Sequence, residues 1–308
     1  MKKDKKYMVI GAGGTGGVLG AYLTRAGQDV TLIARRRHLE AMQQNGLQVE
    51  TAWAGKDTIP VKAADMEHYQ DQPDVIFVCV KGYSLEDTVP FIQRVAHRDT
   101  VVIPILNLYG TGRRLQEKLP ELLVTDGCIY VSSNIKAPGV IFMHGEILRV
   151  VYGLPDHTVD HPVLKQVREE MQAAGIDAVY SPQIEKDALQ KFSYVSPMAA
   201  CGLYYDAEAG EMQKEGPQRA FFVQLIDEIQ ALAQAMGIQY ETRLSRINLA
   251  ILDDLAPTAS TSMQRDIAGG KPSEIDGLIY EVVRLGQRYQ VAVPGYEKAA
   301  ARFREMGL

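Results

Sequence analysis

Up to about Tyr180, short apolar runs alternate with longer segments of helical periodicity. The runs are rich in valine and isoleucine and are bounded by turn residues, which is typical of buried strands. We predict strands at Tyr7–Ile10, Val30–Ala34, Val75–Val80 and Val101–Leu106, and helices at Gly16–Ala26 and Ser84–Ala96. Because strand and helix alternate, this half is expected to form a parallel sheet with helices on its faces.

The pattern changes further along the chain. Residues 139–152 resemble a hairpin that turns at His144-Gly145. After Pro182 the strands fade, and long segments of helical period follow at residues 184–200, 217–236, 242–254 and 273–290. The predicted fold class is therefore α/β, with a parallel-sheet domain at residues 1–182 and an all-helical domain at residues 183–308.

Composition limits the possible functions. A length of 308 residues with 46% hydrophobic and 23% charged residues suits two ordinary globular domains. The net charge of −5 argues against a nucleic-acid partner. No membrane span is expected, because no apolar stretch approaches the roughly 18–20 residues needed to cross a bilayer. No signal peptide is expected either, since the first apolar run continues directly into a glycine-rich turn. Three cysteines far apart favour neither disulfides nor a metal site, so we expect a cytoplasmic protein.

The glycine-rich turn matches a dinucleotide-binding pattern. The sequence Gly11-Ala12-Gly13-Gly14-Thr15-Gly16 fits G-x-G-x-x-G, follows a predicted strand and opens a predicted helix. In such a turn the first glycine makes the bend, the second admits a pyrophosphate and the third lets the helix pack on the strand. The pyrophosphate lies at the positive end of the helix. This context predicts a Rossmann-type domain, although a tight turn without a ligand is the alternative.

The residue that ends the second predicted strand indicates which dinucleotide binds. NAD sites usually carry an acid there, whereas NADP sites carry an arginine for the 2′-phosphate. Here Arg35, Arg36 and Arg37 follow the strand, and the first acid is Glu40. We predict that Arg35 binds the phosphate of NADPH with help from Arg36 or Arg37. A solvated basic turn is the alternative.

Several polar residues are candidates for the chemistry. Lys81 and Asn107 each follow a predicted strand, at the edge of the sheet where ligands bind in open α/β folds. Lys191 lies near the apolar margin of its helix, where partial burial suits a lysine for acid–base work. Glu274 aligns with the apolar face of a later helix. As alternatives, Lys81 and Asn107 are ordinary loop residues and Lys191 extends to solvent. The alternative for the segment around Glu274 is a helix-capping role.

Taken together, these motifs resemble the ketopantoate reductase (2-dehydropantoate 2-reductase) family. The similarity runs nearly end to end and rests on "GAGGTGG", "VCVKGY", "ILNLYGTG", "QKFSYVSP" and "SMQRDIAGGKPSEIDGLI". The resemblance implies a Rossmann-type domain followed by a helical domain, NADPH as cofactor and reduction of ketopantoate, a 2-keto acid, to (R)-pantoate for coenzyme A synthesis. A homodimer is compatible with it.

The resemblance also implies roles for individual residues. Lys191 would protonate the carbonyl oxygen, and Glu274 would orient the substrate and the lysine. Ser262 would contact the substrate carboxylate, whereas Asn107 and Lys81 would line the nicotinamide side of the site.

The sequence departs from the family pattern at positions where family members bind substrate hydroxyls. Family asparagines expected one and two turns after the lysine are absent from Tyr194-Val195-Ser196 and Met198-Ala199-Ala200. Leu108 stands where a glycine is usual, and another asparagine is replaced near Ala259. A reductase of a related 2-oxo acid, an opine or hydroxyacid dehydrogenase, and a non-catalytic NADP-binding sensor are therefore the alternative functions.

Overall fold

The structure, a computed structural model, describes residues 5–308. It divides into two compact units, one that ends at Ala188 and one at Leu189–Leu308. The division falls inside a single helix, α6 (Ile184–Tyr205), which begins two residues after Pro182.

The described part of the first unit contains strands and helices in alternation. Its strands are β1 (Lys6–Ile10), β2 (Asp29–Ile33), β3 (Leu47–Thr51), β4 (Gly55–Ile59), β5 (Lys62–Ala64), β6 (Val75–Val78), β7 (Val101–Pro104), β8 (Leu123–Val124), β9 (Asp126–Tyr130), β10 (Ser133–Ala137), β11 (Val140–Met143), β12 (Arg149–Gly153) and β13 (Asp177–Tyr180). Its helices are α1 (Gly14–Arg25), α2 (Arg36–Asn45), α3 (Val89–Val95), α4 (Thr111–Lys118) and α5 (Pro162–Ala173).

Six of these strands form the main sheet, in the order β5-β2-β1-β6-β7-β8, and all their pairings are parallel. In the central strand β1, Tyr7 and Val9 belong to one hydrophobic cluster and Met8 and Ile10 to the other. A parallel sheet needs apolar residues on both faces because helices cover both. The predicted α/β fold class is confirmed.

The hairpin predicted at residues 139–152 is wrong. Strand β11 pairs with β10 and β3 in a four-stranded sheet, whereas β12 pairs with β9 and β13 in a three-stranded one. Ile141 and Val150 are both fully buried, so each strand pairs where its own side chains reach the core. His144-Gly145 therefore connects two sheets and does not close a hairpin.

The helix predicted at Ser84–Ala96 is present only in its second half, at Val89–Val95, and tighter turns replace its first half. Two 3₁₀ turns, Gly82–Ser84 and Glu86–Thr88, precede the short α3. Pro90 lacks a backbone N–H and is tolerated only in the first turn of an α-helix, so α3 begins beside it.

The second unit is helical throughout Leu189–Leu308. After α6 come α7 (Ala209–Met212), α8 (Pro217–Ala235), α9 (Leu244–Asp253), α10 (Ser262–Ala268), a π-helical turn (Asp276–Tyr280), α11 (Glu281–Tyr289) and α12 (Pro294–Glu305). The helix predicted at residues 273–290 thus begins with a π turn. Within residues 5–308, no helix combines the length and the apolar character that crossing a bilayer requires.

Candidate active site

Three glycines of the glycine turn lie in three different steric environments. Gly11 has φ +94°, and a Cβ there would lie 2.9 Å from the carbonyl oxygen of Cys79. A Cβ on Gly16 would lie 2.3 Å from the carbonyl oxygen of Gly11 and 2.9 Å from a methyl group of Val9. A Cβ on Gly13 would meet no described atom within 4 Å. The first glycine bends the chain and the third packs helix against strand, but the second faces open space.

The open space at Gly13 adjoins the N-terminus of α1. Gly13 is the N-cap residue and supplies no capping side chain to the first N–H groups of the helix. The next residues, Gly14 and Thr15, are half-buried, and a Cβ on Gly14 would lie 2.8 Å from the carbonyl oxygen of Ser133. Uncapped N–H groups beside an open approach fit the phosphates of a dinucleotide.

The arginine run begins beside this turn. The amide N–H groups of Gly11 and Ala12 both donate to the carbonyl oxygen of Ile33, the last residue of β2, at 3.1 and 3.0 Å. Arg35 is the N-cap residue of α2, and Arg35, Arg36 and Arg37 are all exposed. None of the three side chains has an ion-pair or hydrogen-bond partner among the described residues. They are therefore available to an anion from solution.

Lys81 and Asn107 follow the neighbouring strands at this edge of the sheet. Val78 pairs in register with Ile10 and with Pro104, so β1, β6 and β7 end side by side. Lys81 is half-buried and Asn107 is exposed. The glycine turn, Lys81 and Asn107 therefore follow three strands whose carboxyl ends lie at one edge of the sheet.

Sequence reasoning missed a buried carboxylate that supports the Asn107 loop. Asp126 accepts a hydrogen bond from the N–H of Gly112 at 2.8 Å, in the first turn of α4. Burial raises the pKa of this carboxyl, an effect that the Gly112 N–H opposes. The local sequence Thr-Asp-Gly gives no sign that Asp126 faces the core, because its partner is fourteen residues away in the chain.

In the second unit, α6 carries Lys191 and connects the other candidates. The Lys191 side chain is half-buried. One turn later, the hydroxyl of Ser196 donates to the carbonyl oxygen of Leu278 in the π turn at 2.6 Å, and it also hydrogen-bonds the hydroxyl of Tyr296 at 2.7 Å. Near the end of α6, the carbonyl oxygen of Ala207 accepts from the side chain of Gln264 on α10 at 2.9 Å.

The π turn that follows Glu274 is thus bonded to α6, and α10, which begins at Ser262, is bonded to the chain two residues beyond α6. Ser262 is the first residue of α10, behind a capping box formed by Thr261 and Gln264. Glu274 is only 6% exposed and lies just before the π turn. Two residues after Glu274, the carboxylate of Asp276 pairs with the guanidinium of Arg284 through two 2.9 Å contacts.

The described residues contain no group of three or more His, Cys, Asp or Glu side chains placed to hold a metal ion. Cys79, Cys128 and Cys201 are free thiols. Burial raises the pKa of the Cys201 thiol to about 12.

A parallel sheet with a glycine turn at its edge, followed by a helical unit with a buried carboxylate and a half-buried lysine, defines the class of Rossmann-type oxidoreductases. Two family profiles match the chain: "Ketopantoate reductase PanE/ApbA" over residues 7–156 and "Ketopantoate reductase PanE/ApbA C terminal" over residues 183–306. The chain belongs to the ketopantoate reductase family. The predictions of family and of enzyme class are confirmed, and the NADPH dependence of the family agrees with the predicted cofactor.

Individual relatives are distant but cover the chain. A 2-dehydropantoate 2-reductase of Aquifex aeolicus is 27% identical, over 95% of this chain and 94% of its own length. The solved structure of a 2-dehydropantoate 2-reductase from Porphyromonas gingivalis W83 is 26% identical with a TM-score of 0.82, covering 99% of this chain and all of that one. A D-mandelate dehydrogenase, solved with NADH and anilino(oxo)acetate, has a TM-score of 0.85 at 21% identity, covering 98% of this chain and all of that one. This last likeness concerns the fold.

Proposed function

We propose that the protein is a cytoplasmic NADPH-dependent reductase of a 2-keto acid, with conversion of ketopantoate to (R)-pantoate as its first candidate reaction. The observation that carries this proposal is the second unit's arrangement: Ser196 on the Lys191 helix α6 bonds the π turn that follows Glu274, and the helix that begins at Ser262 bonds Ala207, two residues beyond the end of α6. A protein that only sensed NADP would need neither the lysine nor the buried glutamate. A homodimer is the proposed assembly, as in the dimeric ketopantoate reductase of Staphylococcus aureus.

The first unit supplies the groups that would hold NADPH. The N–H groups at Gly13, Gly14 and Thr15 would bind the pyrophosphate, and Arg35 would bind the 2′-phosphate. Lys81 and Asn107 would line the nicotinamide. When bound, NADPH supplies the hydride for the reduction.

The second unit supplies the proton. Reduction of a ketone leaves negative charge on the carbonyl oxygen, which must be neutralised as it develops. The ammonium group of Lys191 can donate a proton to that oxygen, and the carboxylate of Glu274 can orient both the ammonium and a substrate hydroxyl. The hydroxyl of Ser262 would bind the substrate carboxylate. These roles follow the family assignment residue by residue.

A related 2-oxo acid is the second candidate substrate. Family members usually have asparagines that hold substrate hydroxyls one and two turns after the lysine, but here Tyr194-Val195-Ser196 and Met198-Ala199-Ala200 contain none, and Ala199 is fully buried. A site built to bind a hydroxyl rejects the analogue that lacks it by about 10⁴–10⁵, whereas a site without such groups cannot. We therefore expect weaker discrimination against keto acids that lack the 4-hydroxyl of ketopantoate.

The test follows NADPH absorbance with a panel of 2-keto acids. Turnover of ketopantoate, with 4-deoxy analogues within about 10⁴-fold in kcat/KM, supports the proposal. Turnover of another keto acid alone reassigns the substrate. Binding of NADPH without turnover of any 2-keto acid would favour the sensor.

The cofactor choice has its own test. Arg35→Ala should weaken NADPH binding by roughly ten- to a hundredfold, because a charge-assisted contact contributes about 1.5–3 kcal/mol, and should leave NADH binding unchanged. Arg25→Ala is the matched control, since Arg25 is also exposed but pairs with Asp57. Equal affinity of the unmodified protein for both cofactors would contradict the role of Arg35.

A further inference from the structure

His38 connects three segments around the glycine turn. It is the third residue of α2 and is half-buried. Its Nε2 lies 2.8 Å from the carbonyl oxygen of Ala12, inside the glycine turn. Its Nδ1 lies 3.0 Å from the backbone nitrogen of Gly139, in the turn between β10 and β11. One imidazole therefore joins the start of α2, the glycine turn and a second sheet.

These two partners fix the protonation of the ring. A backbone N–H can only donate, so Nδ1 must accept from Gly139. A carbonyl oxygen can only accept, so Nε2 must carry the proton that it donates to Ala12. The contacts thus select the neutral ring with its proton on Nε2. An imidazolium ion, which donates at both nitrogens, would leave the Gly139 N–H facing another donor.

The bond to Ala12 also sets the direction of the next N–H group. The Ala12–Gly13 peptide bond is trans, and in a planar trans peptide the C=O and N–H point in opposite directions. Holding the Ala12 carbonyl toward His38 therefore points the Gly13 N–H away from His38. Gly13 is the glycine at which a Cβ would meet open space.

We propose that His38 is a positioning residue for dinucleotide binding: its neutral ring holds the Ala12 carbonyl and thereby presents the Gly13 N–H to the pyrophosphate. The proposal rests on the proposed cofactor site. Neighbouring residues would then have two different roles. The arginines would bind the 2′-phosphate of NADPH, whereas His38 would orient the backbone that binds the pyrophosphate, which NADPH and NADH share.

Without His38, the Ala12 peptide can rotate, and only a fraction of the free protein would keep the turn in its binding geometry. The apparent dissociation constant rises by the inverse of that fraction. Loss of one such hydrogen bond corresponds to roughly a 5- to 30-fold weakening. Because the pyrophosphate is common to both cofactors, His38→Ala should weaken NADPH and NADH by the same factor, unlike Arg35→Ala.

Two conservative variants divide the contacts of the ring. In His38→Gln the side-chain amide nitrogen can replace Nε2 as donor to Ala12, whereas in His38→Asn the side-chain oxygen can replace Nδ1 as acceptor from Gly139. Gln43→Ala is the matched control, because Gln43 lies on the same helix and bonds the carbonyl oxygen of Ala63 instead. The comparison of the glutamine and asparagine variants holds even where the alanine variant fails to fold.

The experiment measures dissociation constants for NADPH and NADH by calorimetry in the five proteins, with long-range ¹H–¹⁵N spectra of the free wild-type imidazoles. We expect His38→Gln to bind both cofactors nearly as the wild type does, His38→Asn to bind both more weakly, Gln43→Ala to be unchanged, and His38 to be protonated at Nε2 alone. An unaffected His38→Ala, a loss confined to NADPH, equal affinities of the Gln and Asn variants, or a proton on Nδ1 would overturn the proposal.

The outcomes also separate this proposal from the proposed function. Wild-type protein that binds dinucleotides in the expected order among the variants, but reduces no 2-keto acid, would overturn the function and support the role of His38. Reduction of a 2-keto acid with unchanged affinities in all variants would do the reverse. Wild-type protein that binds neither dinucleotide would overturn both.

Discussion

The two units build their parts of the candidate site in different ways. In the first, the backbone N–H groups proposed to bind phosphate come from the consecutive residues Gly13, Gly14 and Thr15, and the arginines follow one strand later. In the second, Lys191 lies on α6, whereas Ser262 and Glu274 lie far along the chain, on or beside elements that bond Ala207 just after α6 and Ser196 within it. Backbone chemistry can be encoded locally, whereas side-chain chemistry depends on tertiary contacts. The four predictions below test this difference, from the largest effect to the smallest.

Gly13→Val should abolish binding of both dinucleotides while the protein stays folded. Gly13 has φ −74° and ψ −162°, a backbone conformation open to valine, and the new side chain would fill only the space that the pyrophosphate needs. Calorimetric titration with NADPH and a thermal unfolding curve measure the two effects.

Gly145→Val is the control for Gly13, since a Cβ on Gly145 also meets nothing within 4 Å. Normal NADPH binding by Gly13→Val would mean that the glycines serve packing alone and that the first unit's site lies elsewhere.

Lys191→Ala should lower kcat by at least roughly 10²-fold, the loss expected for a general acid. The dissociation constant for NADPH should hardly change, because the groups proposed to bind it belong to the first unit. Steady-state kinetics with the best 2-keto acid and direct NADPH titration measure both quantities.

Lys186→Ala is the control, because Lys186 is also a half-buried lysine of α6, and this variant should keep near-normal turnover. A Lys191→Ala enzyme with near-normal kcat would assign the proton donor to another residue.

The sequence predicted the strand, glycine turn and helix of the first unit better than its smaller sheets. The strand–glycine turn–helix order and the arginine run lie within residues 7–37, so their structure follows from local pattern. The hairpin prediction at residues 139–152 was wrong because β11 pairs with β3 and β12 pairs with β9, both far away in the chain. His38 was missed for the same reason, since its bond to Gly139 spans 101 residues.

In the second unit, apolar periodicity located the long helices but not the contacts between them. Ser196 reaches the π turn over 82 residues of sequence, and no spacing rule connects the two. Ser262 entered only through the family resemblance. The burial of Glu274 agrees with its position on the apolar face, whereas the bond between α6 and the π turn that follows Glu274 is visible only in the packed structure.

The free energy of unfolding measures how packing stabilises α6, the helix that carries Lys191. Pro197 lies inside α6 and has no N–H for the carbonyl oxygen of Ser193, which accepts instead from the side chain of Asn248 at 2.8 Å. Asn248→Ala leaves this buried carbonyl unpaired and should lower the free energy of unfolding by about 1–3 kcal/mol. In a Pro197→Ala background, the restored N–H can bond the carbonyl, so the same substitution should cost less.

Denaturant unfolding of the two single variants and the double variant measures this coupling. Ser193→Ala is the control, because it keeps the carbonyl and removes the hydroxyl, which accepts from Asn248 at 3.0 Å and donates to the carbonyl oxygen of Gln190 at 2.7 Å. An equal loss from Asn248→Ala in both backgrounds would show that Asn248 does not compensate for the proline.

The smallest expected effect is that of Arg36→Gly, in the first unit, on the midpoint of thermal unfolding. Its φ is +55°, in the left-handed region that costs a residue with a Cβ about 1–2 kcal/mol. Arg36→Gly removes that cost but adds about 0.5–1 kcal/mol of backbone entropy to the unfolded chain. The midpoint of thermal unfolding should therefore stay unchanged or rise slightly, whereas Arg37→Gly, in ordinary helical geometry, should lower it. NADPH titration of the same two proteins identifies the arginine that assists Arg35, since only its loss should weaken NADPH relative to NADH. A fall in the unfolding midpoint of Arg36→Gly would mean that the Arg36 side chain stabilises the turn by more than its backbone strain costs.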